Sequence, residues 1–257
     1  MLELKHINKV FNPGSITESV LFDDFNLTVD DGEFVSIVGS NGSGKTTMLN
    51  LICGSIKPNA GDVVIGGSRM NGQKEYKRYR NFGRVYQNPA MGTCPNMTML
   101  ENLSLADNKG KRYGLSSGIN RRREGFYKEQ LSMLGLGLED KMNVKLGSLS
   151  GGQRQAVALI MATLTPIDFL ILDEHTAALD PKTADIIMTL TDKVVREKKL
   201  TALMVTHNLR YAVEYGTRLI MMDKGKIIMD KAGEEKCSTA VDDILTVFNE
   251  ISIECGN

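Results

Sequence analysis

The run GSNGSGKT, Gly39 to Thr46, fits the spacing G-x-x-x-x-G-K-[ST] without a mismatch. That spacing suits a phosphate chain. The glycines Gly39, Gly42 and Gly44 let the backbone curl through Ser40, Asn41 and Ser43, so that successive N–H groups face an anion. Thr46 and Thr47 open a segment with apolar residues at helical spacing, and a helix there adds free N–H donors and partial positive charge at its N-terminus. Lys45 can reach the β- and γ-phosphates as a point charge, and the Thr46 hydroxyl can ligate Mg²⁺.

Two further constellations carry chemistry. Asp173, Glu174 and His175 follow the apolar run Phe169-Leu170-Ile171-Leu172 without a gap. A phosphate loop needs a carboxylate at the end of a neighbouring strand to hold its metal, and Asp173 has that position. Glu174, one residue on, can point toward a water near the γ-phosphate and act as general base. The string LSGGQRQ, Leu149 to Gln155, sets two glycines and the Ser150 hydroxyl before a helical pattern. It is a second anion-binding device in the same chain.

These residues require a scaffold of strands that end in loops. Glu33 to Val38 reads as a compact strand, Gly39 to Gly44 as the loop, and Thr46 to Cys53 as a helix stopped by Gly54. Leu2 to Val10 and Asn26 to Val29 read as earlier strands, and Asn81 to Gln87 as a strand ending in a polar residue. From about Asn88 to Pro166 the pattern turns helical, with helices at Met97 to Leu103, Phe126 to Leu134 and Gln153 to Leu164 around a polar stretch, Asp107 to Arg123. Strand–helix alternation then resumes. Phe169 to Leu172 and Leu203 to Thr206 are uninterrupted apolar strands, as expected where both sheet faces are covered. Asp180 and Pro181 cap and open a helix to Arg196, and Asn208 to Tyr215 forms another. Arg218 to Asp230 forms a hairpin turning at Lys224-Gly225, and an amphipathic helix spans Ala240 to Ile251. The expected class is α/β with a helical insertion.

Composition narrows the function classes. The chain has 257 residues, 42% hydrophobic and 24% charged, with 31 Lys+Arg against 31 Asp+Glu. A formal net charge of zero argues against a coat for nucleic acid. No apolar run approaches the ~18 residues that cross a bilayer, and charges stand where a signal peptide has its apolar core. The expected location is therefore cytoplasmic. Cys53, Cys94, Cys237 and Cys255 are far apart without CxxC spacing, which predicts reduced thiols rather than a metal site.

In this order, GSNGSGKT, Gln87, LSGGQ, LILDE, AALD and His207 resemble the nucleotide-binding subunits of ATP-binding cassette (ABC) transporters, from about Leu2 to Asp230. The resemblance implies a P-loop NTPase-type mixed sheet core with an antiparallel β subdomain (about 1–87 and 167–232), an inserted α-helical subdomain (88–166) and a C-terminal helix (233–257). It implies ATP as ligand, with Phe11 stacking on adenine and Gln87 contacting Mg²⁺ or the attacking water. Ser150, Gly151, Gly152 and Gln153 are implied to meet the γ-phosphate held by a second cassette. Asp180 is implied to communicate across that dimer, and His207 to touch the γ-phosphate. The catalytic set is then Glu174, His207, Lys45 and Gln87, and the metal set Thr46, Gln87 and Asp173.

Implied partners are a second copy or related cassette, integral membrane permease subunits and an extracytoplasmic solute-binding protein, with no nucleic acid. The subunit would sit on the inner face of the cell membrane through the permease, which the segment Asn96 to Leu103 resembles a receiver for. LDEHTAALDPKTA resembles cassettes that serve small-solute importers, amino acids among them. A soluble cassette ATPase of iron–sulfur cluster assembly is the alternative. Coiled coils or zinc modules of repair ATPases are missing from the sequence, and so is the second cassette of translation-linked members. His175 stands where most family members have proline; local packing, hydrogen bonding or tuning near the dimer contact stay open for it.

Overall fold

The computed structural model describes residues 1–111, 114 and 117–254, with side chains described to residue 250. Part of the Asp107–Arg123 stretch, and Cys255, lie outside the described residues. The chain forms two compact units, Met1–Gln73 with Thr201–Asn257, and Lys74–Leu200.

The first unit begins with β1 (Leu2–Phe11), β2 (Ser19–Val29), β3 (Phe34–Gly39), α1 (Lys45–Cys53), β4 (Ala60–Ile65) and β5 (Ser68–Arg69). Strands β2, β1, β4 and β5 lie in that order as an antiparallel sheet. Every residue of β3 is buried, which explains its lack of alternation. Gly54 ends α1 in the left-handed conformation, φ 85°, its N–H donating to the Asn50 carbonyl. β2 starts earlier than the expected Asn26, because its first residues are exposed and register shifts hide the alternation from the sequence.

The second unit holds α2 (Glu75–Arg78), β6 (Phe82–Val85), α3 (Met99–Asp107), α4 (Glu124–Ser132), α5 (Gly151–Ala162), β7 (Phe169–Asp173) and α6 (Pro181–Glu197). Strands β6 and β7 pair in parallel, Phe82 opposite Phe169 and Val85 opposite Leu172. α3 begins later than Met97 because Thr98 caps it. The Thr98 hydroxyl accepts from the Glu101 N–H at 3.3 Å, and the Thr98 N–H donates to the Glu101 carboxylate at 2.6 Å. α4 buries Tyr127, whose O–H donates to Asp107 at 3.0 Å. Short α2 carries no periodic signal long enough to read from sequence.

The chain returns to the first unit with β8 (Thr201–Val205), α7 (Leu209–Glu214), β9 (Arg218–Asp223), β10 (Lys226–Ala232), α8 (Gly233–Cys237) and α9 (Val241–Glu254). β3 runs parallel to β8 on one side and to β9 on the other, and β9 pairs antiparallel with β10. The expected Lys224-Gly225 turn has both residues at positive φ, 43° and 76°, as a two-residue hairpin requires. Ile244 of α9 packs on Val38, Ala212, Leu219 and Met221, which fastens the last helix to this core. The whole is a mixed α/β fold.

Candidate functional site

In the first unit, the loop between β3 and α1 is shaped by close contacts that only glycine tolerates. A Cβ at Gly39 would lie 2.2 Å from the Met222 carbonyl oxygen, and one at Gly44 2.9 Å from the Phe22 ring. Gly42 has open space around it but needs φ 82°. Gly44 caps α1 without a side-chain hydrogen bond, and a helix start of this kind is a place where backbone N–H groups can meet an anion. Lys45 is buried and folds back over the loop. Its Nζ donates to the Gly39 carbonyl at 2.7 Å, the Ser40 carbonyl at 2.9 Å and Ser43 Oγ at 3.3 Å.

The β9–β10 turn braces this loop, a support invisible to local sequence patterns. Ser40 Oγ donates to Asp223 Oδ1 at 2.7 Å, and the Gly225 N–H donates to the Ser43 carbonyl at 3.0 Å. In the same unit Phe11 ends β1, 37% exposed, with Lys9 Nζ 5.1 Å from its ring centroid. Its exposed face suits stacking rather than a core role. His207 is exposed just after β8, and the adjacent Asn208 caps α7 by accepting from the Tyr211 N–H at 3.3 Å.

In the second unit, Asp173 is the last residue of β7 and Glu174 turns out of the sheet at φ 49°. A non-glycine residue in the left-handed region is uncommon and redirects the side chain abruptly. Arg84 Nη2 donates to Asp173 Oδ2 at 2.6 Å. Gln87 lies exposed just beyond β6 and not inside a strand as expected. The backbone before it is held by Gln155 of α5, whose Nε2 donates to the Tyr86 carbonyl at 3.0 Å, so that carbonyl serves a side chain.

Ser150 caps α5 through a reciprocal pair. Its hydroxyl accepts from the Gln153 N–H at 3.3 Å and its N–H donates to Gln153 Oε1 at 3.2 Å. Gly152 lets α5 approach α6, since a Cβ there would meet Thr183 Cγ2 at 2.2 Å. Asp180 Oδ1 accepts from the Thr183 N–H at 3.1 Å, and the Thr183 hydrogen bonds hold its carboxyl below the usual range. The second unit thus brings Ser150, Gly151, Gly152, Gln153 and Asp180 to two adjoining helix starts.

His175 is buried, and its Nε2 lies 3.1 Å from Thr191 Oγ1. The Thr191 hydroxyl also lies 2.8 Å from the Ile187 carbonyl, and with its proton directed there His175 Nε2–H donates to Thr191 Oγ1. Burial pushes this imidazole down from 6.5 to about 4. The unfolded chain binds the proton from pH 6.5 downward and the folded chain does not until about pH 4. The associated stability is full above pH 6.5 and is lost toward pH 4, by up to roughly 3 kcal/mol. Urea midpoints measured across that window should fall more steeply for the wild type than for His175→Asn; parallel curves would contradict the assignment.

Among the described residues, no group of three or more His, Cys, Asp or Glu forms a metal cluster. The donors expected for a metal are a hydroxyl, an amide and a carboxylate, from Thr46, Gln87 and Asp173. That set is all oxygen and incomplete without phosphate oxygens, which fits Mg²⁺ carried by a nucleotide.

A family model described as ABC transporter matches residues 22–177. A tyrosine transport ATP-binding protein of Clostridioides difficile (strain R20291) is 46% identical over 248 residues, covering 96% of this chain and 98% of that protein. The methionine import ATP-binding protein MetN 2 of Bacillus cereus (strain ATCC 10987 / NRS 248) is 32% identical, covering 97% of this chain and 73% of its own. Among solved structures, the dimeric post-hydrolysis state of the ATP-binding cassette MJ0796 bound to ADP and Pi is similar at TM-score 0.74 and 34% identity, covering 90% of this chain and 98% of its own. The ADP conformation of the cassette MJ1267 is similar at TM-score 0.80 and 27% identity, over 100% of this chain and 99% of its own.

Proposed function

Since the chain belongs to the ABC transporter family and is therefore an ATP-binding, ATP-hydrolysing protein, we propose that it energises import of an amino acid through separate permease subunits. The observation that carries the reading is the full phosphate-binding set on one chain, namely the β3–α1 loop with its glycine-capped helix start and the Ser150 helix start on α5. In this family those two devices face different ATP molecules. ATP then closes two copies head to tail, the β3–α1 loop of one meeting Ser150, Gly151, Gly152 and Gln153 of the other.

Lys45 and the α1 N–H groups bind and orient the β- and γ-phosphates. Thr46, Gln87 and Asp173 would hold Mg²⁺, which when bound neutralises charge developing on the phosphates. Glu174 takes the proton of the attacking water, and His207 steadies the γ-phosphate. Phe11 offers its exposed face to adenine. The protein would lie on the inner face of the membrane, held by the permease, with an extracytoplasmic binding protein delivering solute. Among the described residues no helix is long and apolar enough to cross a membrane, and on this reading the permease subunits supply the path for solute.

A groove in the second unit supports the permease partner. It has a volume of about 640 Å³ and is lined by the exposed apolar side chains of Tyr76, Met91 and Leu105, among others. Exposed apolar side chains gathered in a concave site mark a place where another chain docks. The 46% identical tyrosine transport protein and the methionine import protein support an amino-acid solute. The test is reconstitution with its permease and capture protein in vesicles. L-Tyrosine or another amino acid on the capture-protein side should stimulate ATP hydrolysis; stimulation by a different solute class alone would contradict the reading.

A further inference from the structure

Arg84 of β6 reaches both Asp173 and the groove. Its Nη2 donates to Asp173 Oδ2 at 2.6 Å, with the two side chains only 8% and 19% exposed. Its guanidinium carbon lies 4.7 Å from the Tyr86 ring centroid, and Arg84 and Tyr86 both line the groove described above. The other charged residues along that groove are Arg80, Lys109 and Lys111, the last paired with Asp107 at 3.4 Å, and no carboxylate is among its described lining residues. Lys109 donates to the Phe82 carbonyl, and burial pushes its ammonium down to about 8. The groove therefore favours an occupant that brings negative charge.

We propose that Arg84 is a positioning residue that holds the Asp173 carboxylate and makes its hold on a divalent cation depend on what fills the groove. This rests on the reading of Asp173 as the metal-side carboxylate. A guanidinium on one oxygen orients that carboxylate and shares its charge, and at such short range it also repels a cation placed on the same group. A docked acidic segment competes for the guanidinium from the groove side. Asp173 then presents more of its charge to the metal. Occupancy of the groove and affinity for the metal become linked through one side chain, and the linkage is reciprocal.

The test is Mg²⁺ titration of fluorescent-ADP binding, with EDTA as the metal-free reference. It is run on the isolated full chain and on the assembled transporter complex. In the isolated chain, Arg84→Gln, which keeps a donor but no charge, should need about tenfold less Mg²⁺ than wild type, the size expected when one adjacent opposite charge is removed. Binding in EDTA should not move. Arg84→Lys, which keeps the charge, should stay near wild type, and Arg84→Met, which also removes the charge, reads the same effect if the Gln variant folds poorly. In the complex the wild-type and Arg84→Gln midpoints should converge. Equal midpoints in the isolated chain, or a gap unchanged in the complex, would overturn the proposal. Asp173→Asn separates the two levels. If it keeps the wild-type Mg²⁺ dependence, the metal reading itself fails. If it loses that dependence while the Arg84 variants do not move, the Arg84 inference alone fails.

Discussion

ATP turnover by Glu174→Gln should fall by about 10²–10⁴-fold, the range that a positioned general base contributes, while ATP affinity stays close to wild type. The substitution keeps the shape of the side chain and removes its ability to take a proton. It leaves the β3–α1 loop and its Lys45 untouched, so binding has no reason to weaken. If ATP closes two copies as proposed, uncleaved ATP should hold them together, and the variant should accumulate as a dimer when ATP is present. Single-turnover kinetics and size-exclusion chromatography with ATP read both effects. Wild-type turnover would remove Glu174 from the base role and leave Asp173 and Gln87 to be tested in its place.

For Lys45→Ala the expected loss is in binding itself. A charge-assisted hydrogen bond contributes roughly 1.5–3 kcal/mol, so losing the ammonium from two phosphates should weaken ATP about 10²–10⁴-fold. The ammonium also ties the Gly39 and Ser40 carbonyls and Ser43 Oγ together, so some of the loss comes from a loosened loop. The preference for ATP over adenosine separates these contributions. A missing point charge reduces the preference, whereas a protein that merely folds poorly loses both ligands alike. An unchanged affinity for ATP would remove the phosphate role of Lys45.

Much of this site can be read from short stretches, because its parts are local. A glycine-rich loop between a strand and a helix, a serine before two glycines, and Asp180-Pro181 opening α6 each depend on neighbours within a few residues. The hairpin turn at Lys224-Gly225 is legible for the same reason. What sequence patterns miss are supports that span the chain. Ser40 and Asp223 are 183 residues apart, and Arg84 and Asp173 are 89 apart, so no periodicity announces either pair. β2 is underestimated because Asp24, at φ 54°, and the register shifts beside it break the alternation that marks a strand. Gln87 falls outside β6 because Gln155 takes the Tyr86 carbonyl, a choice made by packing within the second unit. His175 sits beside two carboxylates in sequence yet turns inward to Thr191, a packing choice that adjacency along the chain does not announce.

The central claim, an ATP site completed by two copies of the chain, is tested most directly by mixing two inactive variants. Lys45→Ala lacks a working β3–α1 loop and Ser150→Arg lacks a working α5 start. A pair made of one copy of each still contains one intact loop facing one intact helix start. Circular dichroism of each variant first checks folding, since removing the Ser150 cap alone costs about 0.5–2 kcal/mol. The account predicts that each variant alone is inactive and that the mixture regains ATP hydrolysis. A mixture as inactive as its parts, from variants that fold and associate, would mean that each chain uses its own loop and its own α5 start, and would contradict the account.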